Sequence, residues 1–209
     1  MYIPEAFEQK DADEIVALVN DFPFAAIVVQ GAERIESVHI PLLLESDGTT
    51  MRLLGHVAKA NPFWQCTAAG AKALVLFSGP NGYISPSYYP SKREHGRVVP
   101  TWNYTAVHMR GPVSFVLDDD DWKLDLLNKL TQQHERNRAS PWAVADAPED
   151  YIQRMLNAIV GVEIIVESID AKWKLSQNQP HNNKEGVVSG LANDGNTVLA
   201  ALVKRHALD

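Results

Sequence analysis

Residues 36–55, ESVHIPLLLESDGTTMRLLG, decide the fold. Two apolar runs, 36–45 and 51–55, flank Ser46-Asp47-Gly48. An Asp-Gly step between apolar runs specifies a tight hairpin and therefore antiparallel pairing. On the N-terminal side, residues 24–30 (FAAIVVQ) read as a buried strand that ends at Gly31. On the C-terminal side, residues 72–78 (KALVLFS) form another, after which Gly79-Pro80-Asn81-Gly82 marks a turn into Tyr83-Ile84-Ser85. Residues 102–110 and 113–117 read as strand interrupted at Gly111-Pro112, and 163–175 alternates as one last long strand. About six strands joined by turns and short helices, without regular β-α-β alternation, argue against a Rossmann sheet. They predict a mainly β, α+β chain, an antiparallel barrel with peripheral helices.

The helices have their own signals. Asp11 and Glu14 stand three apart as in a capping box, Ile15, Leu18 and Val19 follow at helical spacing, and Asn20-Asp21 with Pro23 ends the segment. Asn61-Pro62 opens a short helix that closes at Gly70, with Asn as cap and Pro at the first helical position. Residues 91–97 are a polar loop. Asp118 to Asp121 place four carboxylates at a helix start, where the macrodipole favours negative charge. Trp122, Leu126, Leu127 and Leu130 supply that helix's apolar stripe. A further helix spans about 148–160, with Ile152, Met155, Leu156 and Ile159 in register. Val187, Val188 and Leu191, then Val198, Leu199, Leu202 and Val203, predict two short helices in the tail. The expected organisation is one domain over 1–209 with a small helical appendage from about residue 179.

With 209 residues, 45% hydrophobic and 22% charged, the composition is that of an ordinary globular chain and excludes collagen-like and extensively disordered classes. The formal net charge of −7 is poorly suited to neutralising DNA phosphates, so direct DNA binding is disfavoured. The single cysteine, Cys66, forbids an internal disulfide and fits a reducing compartment. No run approaches the roughly 18 apolar residues of a membrane span, and the N-terminus has no signal-peptide pattern, so a cytoplasmic location is expected.

The common catalytic motifs are absent: no G-x-G-x-x-G after a strand, no Walker loop, no G-x-S-x-G elbow. His134-Glu135 begins a zincin motif, but Arg138 stands at its second histidine position, and the histidines lack metal-ligand spacing. No metal site and no catalytic residue can be assigned. Four short blocks rich in aromatic and amide residues remain. In Gly55-His56-Val57-Ala58-Lys59-Ala60-Asn61-Pro62 a strand end delivers His56 and Lys59 to a helix start, an arrangement suited to a phosphate monoester. The plain alternative is an Asn cap beside an exposed lysine. In residues 79–90 (GPNGYISPSYYP) and 99–108 (VPTWNYTAVH), prolines fix the chain around Tyr83, Tyr88, Tyr89, Trp102, Asn103 and Tyr104. Flat apolar walls with a few oriented polar groups are what a planar heteroaromatic ligand needs; the alternative is core or dimer contact. The fourth block is Lys172-Trp173-Lys174-Leu175-Ser176-Gln177-Asn178, ending a strand with cations and amides.

With GHVAKANP, YISPSYY, VPTWNY and KLSQN in this order, the chain resembles the PaiB family of FMN-binding negative transcriptional regulators, from Met1-Tyr2-Ile3-Pro4 to Asn178. Ser87-Tyr88-Tyr89 stands where Ser-Trp-Tyr would be expected. The resemblance implies a split β-barrel related to pyridoxamine-phosphate oxidases and flavin reductases, and a homodimer with FMN where the two barrels meet. It implies that His56, Lys59 and Asn61 hold the phosphate and ribityl chain, and that Asn103 hydrogen-bonds the isoalloxazine. Lys174 and Gln177 would close over the flavin, with Trp102 and Tyr88 as ring contacts.

Three functions follow. The protein is an FMN-binding regulatory or sensory module with little turnover, a flavin-dependent oxidoreductase acting on a small molecule, or a direct DNA binder. The last is weakest, because no basic helix-turn-helix pair is present. Relatives of this barrel also accept haem, which leaves that ligand as an option. His108 and Tyr104 are acid–base candidates only through their nearness to the expected pocket.

Overall fold

A computed structural model describes residues 1–208. It contains strands β1 (Phe24–Gln30), β2 (Ile35–Pro41), β3 (Leu43–Ser46), β4 (Met51–Ala58), β5 (Lys72–Ile84), β6 (Thr101–Val116), β7 (Ile159–Ile165) and β8 (Ser168–Lys174). The helices are α1 (Ala12–Asp21), α2 (Phe63–Cys66), α3 (Ser91–Glu94), α4 (Asp120–Glu135), α5 (Glu149–Asn157), α6 (His181–Asn193) and α7 (Thr197–Ala207). Hydrogen bonding orders the strands β2-β1-β5-β6-β7-β4-β3, with β8 also on β6. The expected hairpin forms: β3 pairs antiparallel with β4, Leu43 opposite Leu54 and Ser46 opposite Met51. Asp47 tightens its turn, its Oδ1 accepting from the amides of Thr49 at 2.9 Å and Thr50 at 2.7 Å.

Strand boundaries differ from the sequence expectation in four places. Residues 36–45 are two strands: β2 pairs with β1 from Phe24 opposite Pro41 to Gln30 opposite Ile35, while β3 pairs with β4. Between them Leu42 is buried, and its amide donates to the Pro23 carbonyl at 2.9 Å, so the chain pivots there. Residues 79–82 do not turn, because β5 runs through them. Gly79 is needed there for close approach, since a Cβ would collide with the Thr105 hydroxyl and the Leu18 side chain. Strand β6 likewise runs unbroken through Gly111-Pro112, where a Cβ on Gly111 would strike the Ile165 carbonyl. Residues 163–175 divide into β7 and β8. The intervening Val166 and Glu167 amides donate to the Met51 and Arg110 carbonyls, each at 2.8 Å.

The helix signals hold with adjusted ends. Asp11 caps α1, its Oδ1 accepting from Asp13 N at 2.9 Å and Glu14 N at 3.2 Å. Glu14 does not close the capping box; its carboxylate pairs with Arg205 of α7 and lies 3.8 Å from His206 Nε2. Asp119 caps α4 by accepting from Trp122 N at 2.9 Å. Helix α2 is one turn ending at Cys66, α5 stops at Asn157, and part of the expected 91–97 loop is the single turn α3.

The chain forms two compact units. One comprises Val19–Phe77 and His108–Ile169. Its interior holds Ile27, Val75, Phe77, Val160, Val162 and Ile164, with Leu54, Leu126 and Leu130 packed under Leu43 and Trp122. Lys123 is 1% exposed in this unit. Its ammonium donates to the Leu117 and Leu156 carbonyls, both at 3.0 Å, and pairs with Asp120 at 2.6 Å. The other unit comprises Met1–Leu18, Ser78–Val107 and Asp170–Asp209. Its buried residues include Ile84, Val107, Leu175, Val187, Leu191, Leu199 and Val203, so α6 and α7 supply much of its core.

Candidate functional site

His56, Lys59 and Asn61 share one short stretch of the first unit, where β4 passes into α2. His56 sits opposite Gly161 of β7 and is half-buried. Burial pushes its imidazole below the ordinary histidine value, so it is neutral at pH 7. The turn after β4 is pinned by its backbone: Lys59 N donates to Ala158 O at 2.8 Å and Asn61 N to Ala58 O at 2.8 Å. Trp64 Nε1 donates to Lys59 O at 3.0 Å. Asn61 stands one residue before the α2 N-cap, which is Pro62 rather than the expected Asn61, and its Oδ1 accepts from Phe63 N at 3.0 Å. Phe63 anchors the turn, packing edge-on against Phe115 with centroids 6.1 Å apart. The Lys59 side chain is exposed, and its charge reaches Asp120. Because α2 is a single turn, its dipole is small, and an anion here depends on the side chains.

Trp102, Asn103, Lys174 and Gln177 come together in the other unit. Burial alternates along β6, placing Asn103, Thr105 and Val107 inward and leaving Trp102 exposed. Asn103 is 1% exposed, and its Nδ2 donates to Ser176 Oγ at 2.8 Å. Ser176 has φ of +67°, the one positive φ among described non-glycine residues. Gln177 clamps that kink, its Oε1 accepting from Leu175 N at 2.7 Å while Nε2 donates to Trp173 O at 2.6 Å. The Lys174 ammonium donates to Thr101 Oγ1 at 2.5 Å and Trp102 O at 2.9 Å, and burial pushes its pKa down. Trp102 contacts the Tyr83 ring at 6.3 Å and donates from Nε1 to Asn81 Oδ1 at 3.3 Å.

Tyr88 lies in the same unit, but its ring is laid on α6. A Cβ on Gly190 would collide with that ring, and the Tyr88 hydroxyl bonds to Asp194. That bond, with burial second, pushes the phenol up to about 12.

Four buried side-chain polar atoms among the described residues have no hydrogen-bond partner: His56 Nδ1, Ser91 Oγ, Asn103 Oδ1 and His206 Nε2. Leaving such an atom bare costs about 1–3 kcal/mol, so each calls for a partner. Two of the four belong to residues that the sequence resemblance assigns to FMN. A flavin phosphate and ribityl chain carry acceptors and hydroxyls for a neutral imidazole, and the isoalloxazine carries an imide N–H for an amide oxygen. The residues present therefore fit FMN.

Sequence reasoning gave no site role to Asn81, and named Ser176 and Lys172 only as members of the fourth block. Ser176 lies within the fourth block, but nothing local signals its left-handed backbone. Lys172 is 8% exposed, with its ammonium 5.4 Å from the Tyr104 ring centroid and 5.8 Å from that of Tyr2. Both rings are distant from Lys172 in sequence, so nothing local signals the contact.

An open antiparallel sheet with peripheral helices is the architecture of the split barrels. Solved split-barrel structures superpose accordingly. The FAD and haem binding protein from Mycobacterium smegmatis has a TM-score of 0.60 at 17% identity, covering 88% of this chain and 80% of that one. The flavocytochrome Anf3 from Azotobacter vinelandii has a TM-score of 0.56 at 13% identity, covering 79% and 68%. Residues 1–168 match the family described as "Putative FMN-binding domain". The Protease synthase and sporulation protein PAI 2 of Bacillus subtilis (strain 168) is 35% identical over 196 residues, 94% of this chain and 91% of that protein. The Uncharacterized protein AN0679 of Emericella nidulans is 31% identical over 230 residues, 93% and 92% of the two chains. The chain belongs to this FMN-binding domain family, the PaiB family, and FMN is its cofactor. Among the described residues no helix is long and apolar enough to cross a membrane.

Proposed function

We propose that this protein is a cytoplasmic flavin sensor of the PaiB type, a homodimer that holds FMN where two copies meet and regulates expression with little turnover. The observation that carries the reading is that each unit holds, on a residue assigned to the cofactor, one buried polar atom without a protein partner: His56 Nδ1 in one and Asn103 Oδ1 in the other. His56, Lys59 and Asn61 bind the phosphate end, the neutral imidazole and the exposed ammonium acting as donors. Asn103 accepts from the ring edge, oriented by Ser176. Lys174, tied to Thr101 and Trp102 O, and Gln177, tied across the Ser176 kink, hold this wall rigid. Tyr83 and Trp102 are 50% and 49% exposed, an aromatic pair suited to cover by the flavin and a second copy.

Bound FMN supplies a ring that takes up one or two electrons. The chain's contribution is binding and orientation: the Lys174 ammonium is committed to two protein oxygens. A relative named for sporulation, PAI 2, supports a regulatory output. The net charge of −7 favours action through a small molecule or protein rather than through DNA phosphates.

The test combines two measurements on flavin-loaded protein. Sedimentation followed at flavin wavelengths is expected to give twice the chain mass. Anaerobic mixing with NADH or NADPH is expected to bleach the flavin slowly or not at all. Rapid bleaching with repeated turnover would instead establish a flavin-dependent oxidoreductase, and a monomer retaining flavin would overturn the shared site.

A further inference from the structure

The matched family region ends at residue 168, yet the helices beyond it are joined to the aromatic wall by a chain of amides. Helices α6 and α7 meet at Asp194-Gly195-Asn196. There Asn196 has two tasks: its Oδ1 accepts from Leu199 N at 3.3 Å, capping α7, and its Nδ2 donates to Asn81 O at 3.2 Å. Asn81 is equally committed, its Nδ2 donating to Gly79 O at 3.1 Å while its Oδ1 accepts from Trp102 Nε1 at 3.3 Å. The contact is tight: a Cβ on Gly82 would lie 2.9 Å from Asn196 Nδ2 and 3.0 Å from the Leu199 side chain. The helical pair is held in place by Tyr88 on Gly190, by the Tyr88–Asp194 bond, and by Glu14 paired with Arg205. Leu191, Leu199 and Val203 are buried beneath it.

We propose that Asn196 and Asn81 are positioning residues for the flavin, through which the α6–α7 turn fixes the Trp102 indole before the cofactor arrives. The inference rests on the proposed FMN site and gives the tail a role in it. Trp102 is half exposed, and an unrestrained indole would lose rotational freedom on stacking. Both amide ends of Asn81 are occupied, so the indole N–H is held in one orientation and that loss is incurred on folding instead of on binding.

Asn196→Asp separates the two tasks of Asn196, because a carboxylate oxygen still caps Leu199 N while the donor to Asn81 O is lost. Asn81→Leu is the second variant, removing the indole's acceptor directly. In flavin-free protein labelled with nitrogen-15, the indole signal of Trp102 is expected to shift and exchange faster with water in both variants, the other four tryptophans being unmoved. FMN affinity is expected to fall about three- to tenfold, one neutral hydrogen bond's contribution, and the thermal midpoint of Asn196→Asp to stay near that of the parent. An unmoved Trp102 signal, or unchanged affinity in both variants, overturns the inference. Trp102→Phe discriminates the causes: weakened FMN binding there with intact binding in Asn196→Asp sinks only the positioning role, whereas unchanged binding in Trp102→Phe removes the ring contact itself and the inference with it.

Discussion

Asn103 donates its Nδ2 to Ser176 Oγ at 2.8 Å, and this bond ties β6 to the residues after β8 while leaving Asn103 Oδ1 turned to no protein donor. One end of the amide is used for structure. The other is buried without a protein hydrogen-bond partner.

Ser176 has its φ at +67°, where a Cβ costs about 1–2 kcal/mol. Ser176→Ala keeps that cost and strips Asn103 of its partner, so a loss of about 1–2 kcal/mol is expected in denaturant unfolding. Ser176→Gly loses the same bond but relieves the backbone, and should be the more stable of the two. The reverse order would mean that the kink is not left-handed in solution.

His56 is neutral near pH 7 because burial holds its pKa below 6.5. Below that value the unfolded chain takes up protons before the folded one does, so this residue's contribution to stability declines as pH falls through 6.5 and beyond. NMR titration of the imidazole checks the direction. A phosphate dianion beside it favours the charged form, so FMN should raise the His56 pKa and riboflavin should not. Equal responses would move the phosphate elsewhere.

Tyr88 has the opposite sign. Its phenol is pushed up to about 12, first by the bond to Asp194. The stabilisation is complete below pH 10 and is lost as pH rises through 12, because the folded state holds the proton longer. Absorbance titration of phenolates should show a late-ionising tyrosine that Tyr88→Phe removes. A tyrosine titration unchanged by that substitution would contradict the assignment.

Lys123 bolts α4 to the Leu117 and Leu156 carbonyls from a site that is 1% exposed. Lys123→Met keeps the stem but orphans the buried Leu156 carbonyl, the part-buried Leu117 carbonyl and an Asp120 oxygen, for an expected loss of about 2–4 kcal/mol. A change under 1 kcal/mol would show that water replaces the ammonium.

The sequence is legible where local chemistry alone determines the outcome. Asp47-Gly48 makes its hairpin, Asp11 and Asp119 cap their helices, Asn61 bonds into the first turn of α2, and the residues of the four blocks include two of the four bare buried atoms. It misleads where a distant neighbour decides. Gly79-Pro80-Asn81-Gly82 has turn composition, but its glycines make room for Thr105, Leu18 and Leu199 against a straight strand. Gly111 does the same for Ile165. Lys123 reads as an ordinary polar helix position because its carbonyl partners include Leu156, 33 residues away. Tyr88 reads as a ring contact for the flavin, and nothing local signals that Gly190 of α6 receives its ring.

The most direct measurement is a fluorescence titration of flavin-free protein with FMN and riboflavin, repeated for Asn103→Leu. The account predicts that FMN binds the parent more tightly than riboflavin by about 1.5–3 kcal/mol, a charged hydrogen bond's contribution, and that Asn103→Leu weakens both flavins alike by about tenfold. Equal affinity for the two flavins, together with full affinity in Asn103→Leu, would contradict it.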